Sequence, residues 1–270
     1  MSDHFRALRR LGAAFACLAS LAVPATASAA ATVDYSDLWF NPDEPGWGAN
    51  IIQQDDVLFV TLFVYGTGTQ PLWYVASSVA RAGNTSNFSG TLYRTSGPYF
   101  GAGTFPSASV AVTAVGTLTF TASDSTSATL TYNVEGASSV TKTVMRQTWD
   151  TENITGIYLG ATAGTWAGCG AARNGYQESP ATFTIAHDGP TMQLREEGAG
   201  YVCNYTGTYT QSGRMGVIQG GGLCGDGVNQ TFLARDVQVS PNGIVGRVEF
   251  AQAGGSCRFI GTLGAARRGS

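Results

Sequence analysis

The sequence predicts an all-β protein made of two small antiparallel β-barrel or sandwich domains in tandem, each similar in size to a lipocalin or streptavidin. Helical periodicity is almost absent, whereas alternating or β-rich runs recur at short intervals between turn signals. The 270 residues include 36 Gly and only 12% charged side chains. This composition is typical of extracellular β proteins.

The β-rich runs fall into two groups of seven. In the first half the predicted strands are Ala49–Gln54, Val57–Tyr65, Pro71–Ser77, Phe88–Arg94, Val110–Thr121, Ser127–Val134 and Ser139–Gln147. In the second half they are Thr182–Ala186, Thr191–Arg195, Tyr201–Tyr209, Met215–Ile218, Gln230–Val237, Ile244–Phe250 and Cys257–Leu263. Val57–Tyr65 has apolar residues on both faces of the predicted strand, so it predicts a strand that is covered on each side.

Residues 1–29 have the pattern of a cleaved signal peptide. A basic start is followed by the apolar run Leu11–Val23, which is too short to span a bilayer, and then by Ala27-Ser28-Ala29, which fits a signal-peptidase site. No later run is apolar enough for a membrane helix. We therefore expect an extracellular or periplasmic protein without membrane insertion.

The mature chain is expected to form two domains. Residues 30–149 make a Trp-rich β domain and residues 161–270 make a disulfide-bonded β domain. Between them, residues 150–160 contain Asp150, Asn153, Gly156 and Gly160 and resemble a linker.

The charge balance excludes partners that require basic surfaces. Without Arg6, Arg9, Arg10 and Asp3 of the leader, the 15 basic and 18 acidic residues become 12 and 17, a formal net charge of −5. Lys142 is the one lysine in the sequence. Nucleic acids and anionic membrane surfaces select for clustered Lys and Arg, so neither is an expected partner.

Four cysteines follow the leader: Cys169, Cys203, Cys224 and Cys257. An even number in an exported chain predicts two disulfides, with three possible pairings. We favour Cys203 with Cys224 and Cys169 with Cys257. Zinc would need C-x-x-C spacing or nearby histidines, and the sequence has neither, so no metal or other cofactor is predicted.

The halves are interpreted as divergent copies of one unit. Asn87–Tyr93 in the first half is similar to Asn204–Tyr209 in the second, and Trp39 is matched with Trp166. The last predicted strand of each half also carries a basic residue, Arg146 or Arg267. Chance similarity of two β-rich halves is the competing explanation.

A tryptophan motif opens the first domain. The matching residues are Leu38, Trp39, Asn41, Pro42, Glu44, Gly46, Trp47, Gly48, Pro71, Trp73 and Tyr74. Over residues 36–147 the chain resembles an uncharacterised domain of exported proteobacterial proteins with the pattern W-[WF]-N-P-x-E-x-G-W-G followed by P-x-W-Y. This resemblance implies export and a β module, and it transfers no active site.

Aromatic side chains supply the candidate ligand-binding site. Flat rings with nearby Asn and acidic groups are a common way for β modules to hold sugars. The candidates are Trp39, Asn41, Glu44, Trp47, Trp73, Tyr74 and Tyr99. The competing interpretation is that these rings fill the core of a small barrel.

Catalytic patterns are weak. His187 is the one histidine after the leader, but it lies in a His-Asp-Gly turn and no Gly-x-Ser-x-Gly elbow is present. Several carboxylates surround the tryptophan motif, and they are interpreted as turn residues, with calcium binding or glycoside hydrolysis as alternatives. These acidic residues are Asp37, Asp43, Glu44, Asp55 and Asp56.

The sequence as a whole favours a secreted, non-catalytic binding or accessory protein. Its predicted ligand is an extracellular polysaccharide held on aromatic side chains. Two alternatives remain open: a protein-binding module such as an inhibitor or adhesin, and a carboxylate-dependent extracellular hydrolase.

Overall fold

The structure, a computed structural model that describes residues 33–101, 103–134 and 136–269, confirms the all-β prediction. Two closed antiparallel barrels of eight strands each follow one another along the chain, and in each barrel every strand pairs with its neighbours in sequence. The predicted signal peptide lies outside the described residues. Across these ranges, no helix is long and apolar enough to cross a membrane.

The first barrel contains strands β1 to β8 and one short 3-10 helix, Ser107–Ser109. Its strands are β1 (Asp37–Phe40), β2 (Gly48–Gln54), β3 (Val57–Tyr65), β4 (Pro71–Arg81), β5 (Asn87–Ser96), β6 (Ala111–Ala122), β7 (Ser127–Val134) and β8 (Val140–Arg146).

The second barrel contains strands β9 to β16. They are β9 (Gly156–Ala167), β10 (Gly175–Asp188), β11 (Thr191–Gly198), β12 (Tyr201–Ser212), β13 (Met215–Cys224), β14 (Asn229–Ser240), β15 (Gly243–Gln252) and β16 (Arg258–Arg267). Side chains alternate between a buried interior and an exposed outer wall, as closure of a sheet requires. Each barrel has its own hydrophobic core.

Both barrels are closed at one end by an aromatic ring and an arginine on paired strands. Trp39 on β1 lies opposite Arg146 on β8, with the guanidinium 4.9 Å from the ring centroid. Tyr158 on β9 lies opposite Arg267 on β16, again at 4.9 Å. The first and last strands of each barrel therefore carry a matching cation–π pair.

The hydrogen bonds from each closing ring to a backbone carbonyl are also repeated. The indole N–H of Trp39 donates to the carbonyl of Tyr35 at 2.9 Å, and the hydroxyl of Tyr158 donates to the carbonyl of Ile154 at 2.9 Å. Tyr35 and Ile154, each four residues before the ring, are buried in their respective cores. The two barrels are therefore closed at this end by the same arrangement of a ring, an arginine and a buried residue four positions earlier.

Hydroxyl residues three positions before the two closing rings, Ser36 and Thr155, have equivalent roles as well. Ser36 Oγ accepts from the backbone N–H of Gln53 at 2.8 Å, and Thr155 Oγ1 accepts from that of His187 at 3.0 Å. Gln53 and His187 lie on the second strand of their barrels. The repeat is therefore carried by residues 34–39 and 153–158, together with the terminal arginines.

The sequence matches proposed between the halves were wrong except for the two arginines. Asn87–Tyr93 lies on the fifth strand of its barrel, whereas Asn204–Tyr209 lies on the fourth. Trp39 corresponds to Tyr158 rather than to Trp166. Similar composition produced the misleading similarity, because both segments are strands rich in Thr, Tyr and Gly.

The predicted linker was too long, since β9 begins at Gly156 and the second barrel includes residues 156–160. The start of this strand was not predicted because it is rich in Gly and Ala, which are poor strand formers. At Gly160 a β-carbon would lie 2.1 Å from the carbonyl oxygen of Gly264, so only glycine allows the close approach of β9 and β16.

The strand Val57–Tyr65 is covered on one side only, contrary to the prediction. Leu58, Val60 and Leu62 point into the first barrel and are fully buried, whereas Phe59 and Phe63 lie on the exposed outer wall. The sequence could not distinguish a doubly covered strand from one with an apolar outer face.

The turn between β12 and β13 contacts the closed end of the first barrel. The backbone N–H of Arg214 donates to Asp37 Oδ2 at 2.8 Å, and Arg146 Nη1 donates to the same oxygen at 3.0 Å. The N–H of Gly213 donates to Thr148 Oγ1 at 2.8 Å. Asp37 therefore links the closure of one barrel to a turn of the other, as a buried ion-pair residue rather than a metal ligand.

Candidate functional site

The seven ligand-binding candidates of the first barrel are not gathered on one surface. Trp39 and Tyr74 lie in the core, with 0% and 3% exposure. Trp73 is on the outer wall of β4, and Tyr99 is in the connection between β5 and β6. Asn41 holds its own turn, since its side-chain oxygen accepts from the N–H of Asp43 at 2.9 Å.

Trp47 and Glu44 cover the end of the first barrel opposite the closure. The indole N–H of Trp47 donates to Glu44 Oε2 at 3.1 Å, and Lys142 Nζ donates to Glu44 Oε1 at 2.7 Å. The hydrogen bond from Lys142 lowers the pKa of Glu44. Because Trp47 packs on the core with Tyr132 and Val134, the tryptophan motif fills this end of the barrel.

The other acidic and histidine candidates have structural roles. Asp55 has φ of 52° in a tight hairpin, and Asp56 pairs with Arg81 at 2.6 Å. The His187 ring lies edge-on to Tyr209, with centroids 5.2 Å apart. In the part of the chain that the structure describes, no three His, Cys, Asp or Glu side chains group as a metal site.

A cavity of about 700 Å³ opens at the end of the second barrel opposite Tyr158 and Arg267. Its rings come from four strands and face inward. They are Trp166 on β9, Tyr201 and Tyr205 on β12, Phe250 on β15 and Phe259 on β16. Cavities of this volume that combine rings with a few polar groups are typical of small-ligand sites.

Glycines on neighbouring strands make room for the two tyrosines. Gly198 on β11 pairs with Tyr201, and Gly222 on β13 pairs with Tyr205. A β-carbon at Gly198 would lie 2.1 Å from the Tyr201 ring, and one at Gly222 would lie 2.4 Å from the Tyr205 ring. The rings therefore lie across the neighbouring strands, which orients their hydroxyls toward one carboxylate.

That carboxylate belongs to Glu196, which is only 5% exposed. Glu196 Oε1 accepts from the hydroxyl of Tyr201 at 2.9 Å, and Oε2 accepts from that of Tyr205 at 3.4 Å. Burial raises the pKa of Glu196, and it also raises the pKa of both tyrosines. Among the described residues, none places a basic group within ion-pair distance of Glu196.

The two disulfides confirm the predicted pairing and lie at the cavity end of the barrel. Cys203 and Cys224 bridge the paired strands β12 and β13 on the cavity wall. Cys169, in the β9–β10 connection, is bonded to Cys257, which precedes β16. The second bridge therefore ties that connection to the neighbouring β15–β16 connection on the same rim.

Arg173 lies in the tethered connection, with its guanidinium 4.1 Å from the Trp166 ring centroid. Asp226, in the β13–β14 turn, supplies a further charge, and its Oδ1 accepts from the N–H of Val228 at 3.0 Å. With Glu196 ionised, the charged groups that line the cavity are two carboxylates and one guanidinium.

Sequence reasoning missed this site because its polar residues are scattered over the second half. The spacing of Glu196, Tyr201 and Tyr205 does carry a signal. All three lie at inward positions, and β11 and β12 form a hairpin whose turn is Ala199-Gly200. The signal in the sequence that could have indicated this site is Glu196, an acidic residue at an inward position of a strand.

The fold and cavity define a tandem-barrel protein with one open, aromatic-lined cup. No family model and no curated protein matches the chain. Solved structures with some similarity include a candidate outer membrane protein from Bacteroides fragilis, with 15% identity, TM-score 0.31, and coverage of 82% of this chain and 88% of that one.

Another is a protein of unknown function from the DUF3598 family of Nostoc punctiforme. It has 12% identity, TM-score 0.27, and coverage of 86% of this chain and 93% of that one. At these TM-scores neither likeness carries an argument about function.

Proposed function

We propose that this is an exported, non-catalytic binding protein that holds a small ligand in the cup of the second barrel. The observation that carries the proposal is the cavity of about 700 Å³ that is lined by five rings and one buried carboxylate. Barrels of eight strands are wide enough to hold one small ligand when their interior is not filled. Export is supported by the two disulfides, which persist in oxidising compartments.

The cup favours a compact ligand over the middle of a polymer. Because the opposite end is closed by Tyr158, Ile154 and Arg267, a ligand has one way in. A polysaccharide would fit only by a chain end or as a short oligosaccharide. The rings would pack on an apolar face, and Glu196 would accept a hydrogen bond from a ligand donor.

The proposal is tested by a ligand-detected NMR screen of fragments and oligosaccharides on the mature chain. Ser179 points into the cavity from β10, whereas Thr184 is exposed on the outer face of the same strand. We expect hits for the wild type and for Thr184→Trp, and at least tenfold weaker binding for Ser179→Trp. Hits unaffected by Ser179→Trp, or no hits, would overturn the proposal, and conversion of a bound oligosaccharide to product would show a hydrolase.

A second candidate is glycan binding on the outside of the first barrel. Tyr99 and Phe100 are 72% and 83% exposed, with ring centroids 5.4 Å apart and ring planes tilted by 55°, so both rings are accessible to a sugar. On a glycan array, the double substitution Tyr99→Ser and Phe100→Ser should then abolish retention while Ser179→Trp leaves it unchanged. The reverse pattern would assign glycan binding to the cup.

A further inference from the structure

We infer that the ligand of the second-barrel cup is an organic cation, a molecule with an ammonium group of the alkylammonium or quaternary type. This inference rests on the proposed function, because it names the chemical class that the same cup selects. Three features of the cavity support it: the environment of Glu196, the chemistry of the rings, and the position of Arg173.

The first feature is a buried carboxylate without a cationic partner. Burying an unpaired charge costs several kcal/mol, and proteins usually place a basic side chain beside such a group. Around Glu196 the polar neighbours are instead two tyrosine hydroxyls, at 2.9 and 3.4 Å. The hydroxyls hold the carboxylate in place but bring no positive charge, so an incoming cation would supply the missing partner.

The second feature is the ring lining. Electron-rich ring faces attract cations, and an aromatic cage beside a carboxylate is a general way to hold an ammonium group that is too hindered for many hydrogen bonds. Tyr201 and Tyr205 both contact the Glu196 carboxylate, and Phe250 and Phe259 line the same cavity. An anionic ligand would meet Glu196 and Asp226 and would be disfavoured.

The third feature is that one ring of this cavity already holds a cation. Arg173 lies 4.1 Å from the centroid of Trp166 at the rim. Arg173 belongs to the connection tied down by Cys169–Cys257, so its position is set by the rim, and among the described residues the other rings of the cavity have no basic group beside them. The guanidinium at Trp166 and the Glu196 carboxylate therefore occupy separate parts of the cavity, and the carboxylate keeps its place for an incoming cation.

The experiment compares choline with 3,3-dimethylbutan-1-ol, its uncharged carbon isostere, by calorimetric titration of the mature protein. The two probes have the same shape, so any difference reports the positive charge. We expect choline to bind at least tenfold more tightly than the alcohol. Ser179→Trp should abolish both, which places the probes in the cup.

Glu196→Gln is the diagnostic variant, because glutamine keeps the shape, with an oxygen that can accept from one tyrosine hydroxyl and an NH2 group that can donate to the other. It should remove the preference for choline while the alcohol still binds. Glu197→Gln is the matched control, since Glu197 neighbours Glu196 on β11 but is exposed on the outer wall and paired with Arg195 at 2.6 Å. The control should keep the full preference.

Equal binding of the two probes, or a preference for choline that survives Glu196→Gln, would overturn the inference. The proposed function would still stand if fragments found in the NMR screen bind in a manner sensitive to Ser179→Trp. If neither the probes nor any fragment binds the wild type, the inference and the proposed function both fail. Unchanged circular dichroism of Glu196→Gln shows that lost preference is not lost folding.

Discussion

At one end the two barrels are matched residue by residue, with Trp39 and Arg146 in the first and Tyr158 and Arg267 in the second. At the other end they differ. In the first barrel the β1–β2 connection folds over the opening, and Trp47 is anchored there by Glu44 and Lys142. In the second, the β9–β10 connection is held on the rim by Cys169–Cys257, and the interior stays open.

This comparison shows that the architecture of an eight-stranded barrel does not decide whether its open end is filled by its own side chains. Both barrels have the same strand order and a similar closure. Whether the open end is filled depends on the connection between the first two strands of each barrel. The β1–β2 connection turns inward and supplies the Trp47 ring to the core, whereas the β9–β10 connection is tied to the rim and supplies no such ring. A filled barrel and an open one can therefore share the same fold.

The largest expected effect comes from releasing that tethered connection. Replacing Cys169 and Cys257 by Ser removes a bridge that closes a span of 88 residues. In the chain-entropy description this lowers the free energy of unfolding by about 4 to 5 kcal/mol. Hydrogen exchange followed by mass spectrometry should show the loss of protection in strands β9–β16. An equal loss in strands β1–β8 would contradict independent roles for the two cores.

The matched closures give the next effect. Trp39→Ala should destabilise the first barrel by about 3 to 5 kcal/mol, since it removes a fully buried indole and leaves Arg146 without its ring. Tyr158→Ala should have a comparable but smaller effect on the second barrel, because the lost side chain is smaller. Denaturant unfolding followed by circular dichroism measures both. A negligible effect of either variant would show that the closures are not equivalent.

The smallest effect concerns Glu196 and depends on pH. Burial raises its pKa, so the folded chain holds this proton more tightly than the unfolded chain. The associated stability is fully present below the ordinary carboxyl pKa of 4.5 and is lost as pH rises through the raised value. Glu196→Gln lacks this loss and should therefore be more stable than the wild type at pH 7 by about 1 kcal/mol, a small part of the cost of burying a charge.

At about pH 3, where Glu196 is protonated in both states, the gain of Glu196→Gln should disappear. Thermal unfolding at the two pH values measures the difference, with Glu197→Gln as the control for general loss of charge. A Glu196→Gln variant that is less stable than the wild type at neutral pH would mean that the carboxylate is favourably solvated in the empty cup.

The sequence could predict the strands where polarity alternates and failed where it does not. Val57–Tyr65 was assigned the correct bounds, but its outer face is exposed, because apolar residues at every position do not show which face meets solvent. Gly156–Ala167 was missed because Gly and Ala have low strand propensity, although closure of the barrel requires a strand there. Tertiary pairing therefore overrode local preference at Gly156–Ala167, whereas at Val57–Tyr65 the tertiary structure decided only which face is covered.

The cavity of the second barrel was not predicted from the sequence, for a related reason. Tryptophans are the strongest signals in a sequence, but Trp39 is rigidly buried and Trp47 fills an opening. The cavity of the second barrel is lined by one tryptophan, two tyrosines and two phenylalanines. They are spread over 94 positions, from Trp166 to Phe259, and only closure of the barrel brings them together. The ligand-binding role of Trp73 and Tyr99 remains a prediction for the outer surface.

The sequence by itself determined the all-β class, the tandem organisation and the number of disulfides, because alternation of polarity, turn residues and the count of cysteines are properties that can be read along the chain. Only the tertiary structure decided which barrel is filled and which is open. That difference depends on how the connection between the first two strands of each barrel packs against strands that are distant in sequence. It also depends on the position of Glu196 among rings that follow no regular spacing along the chain.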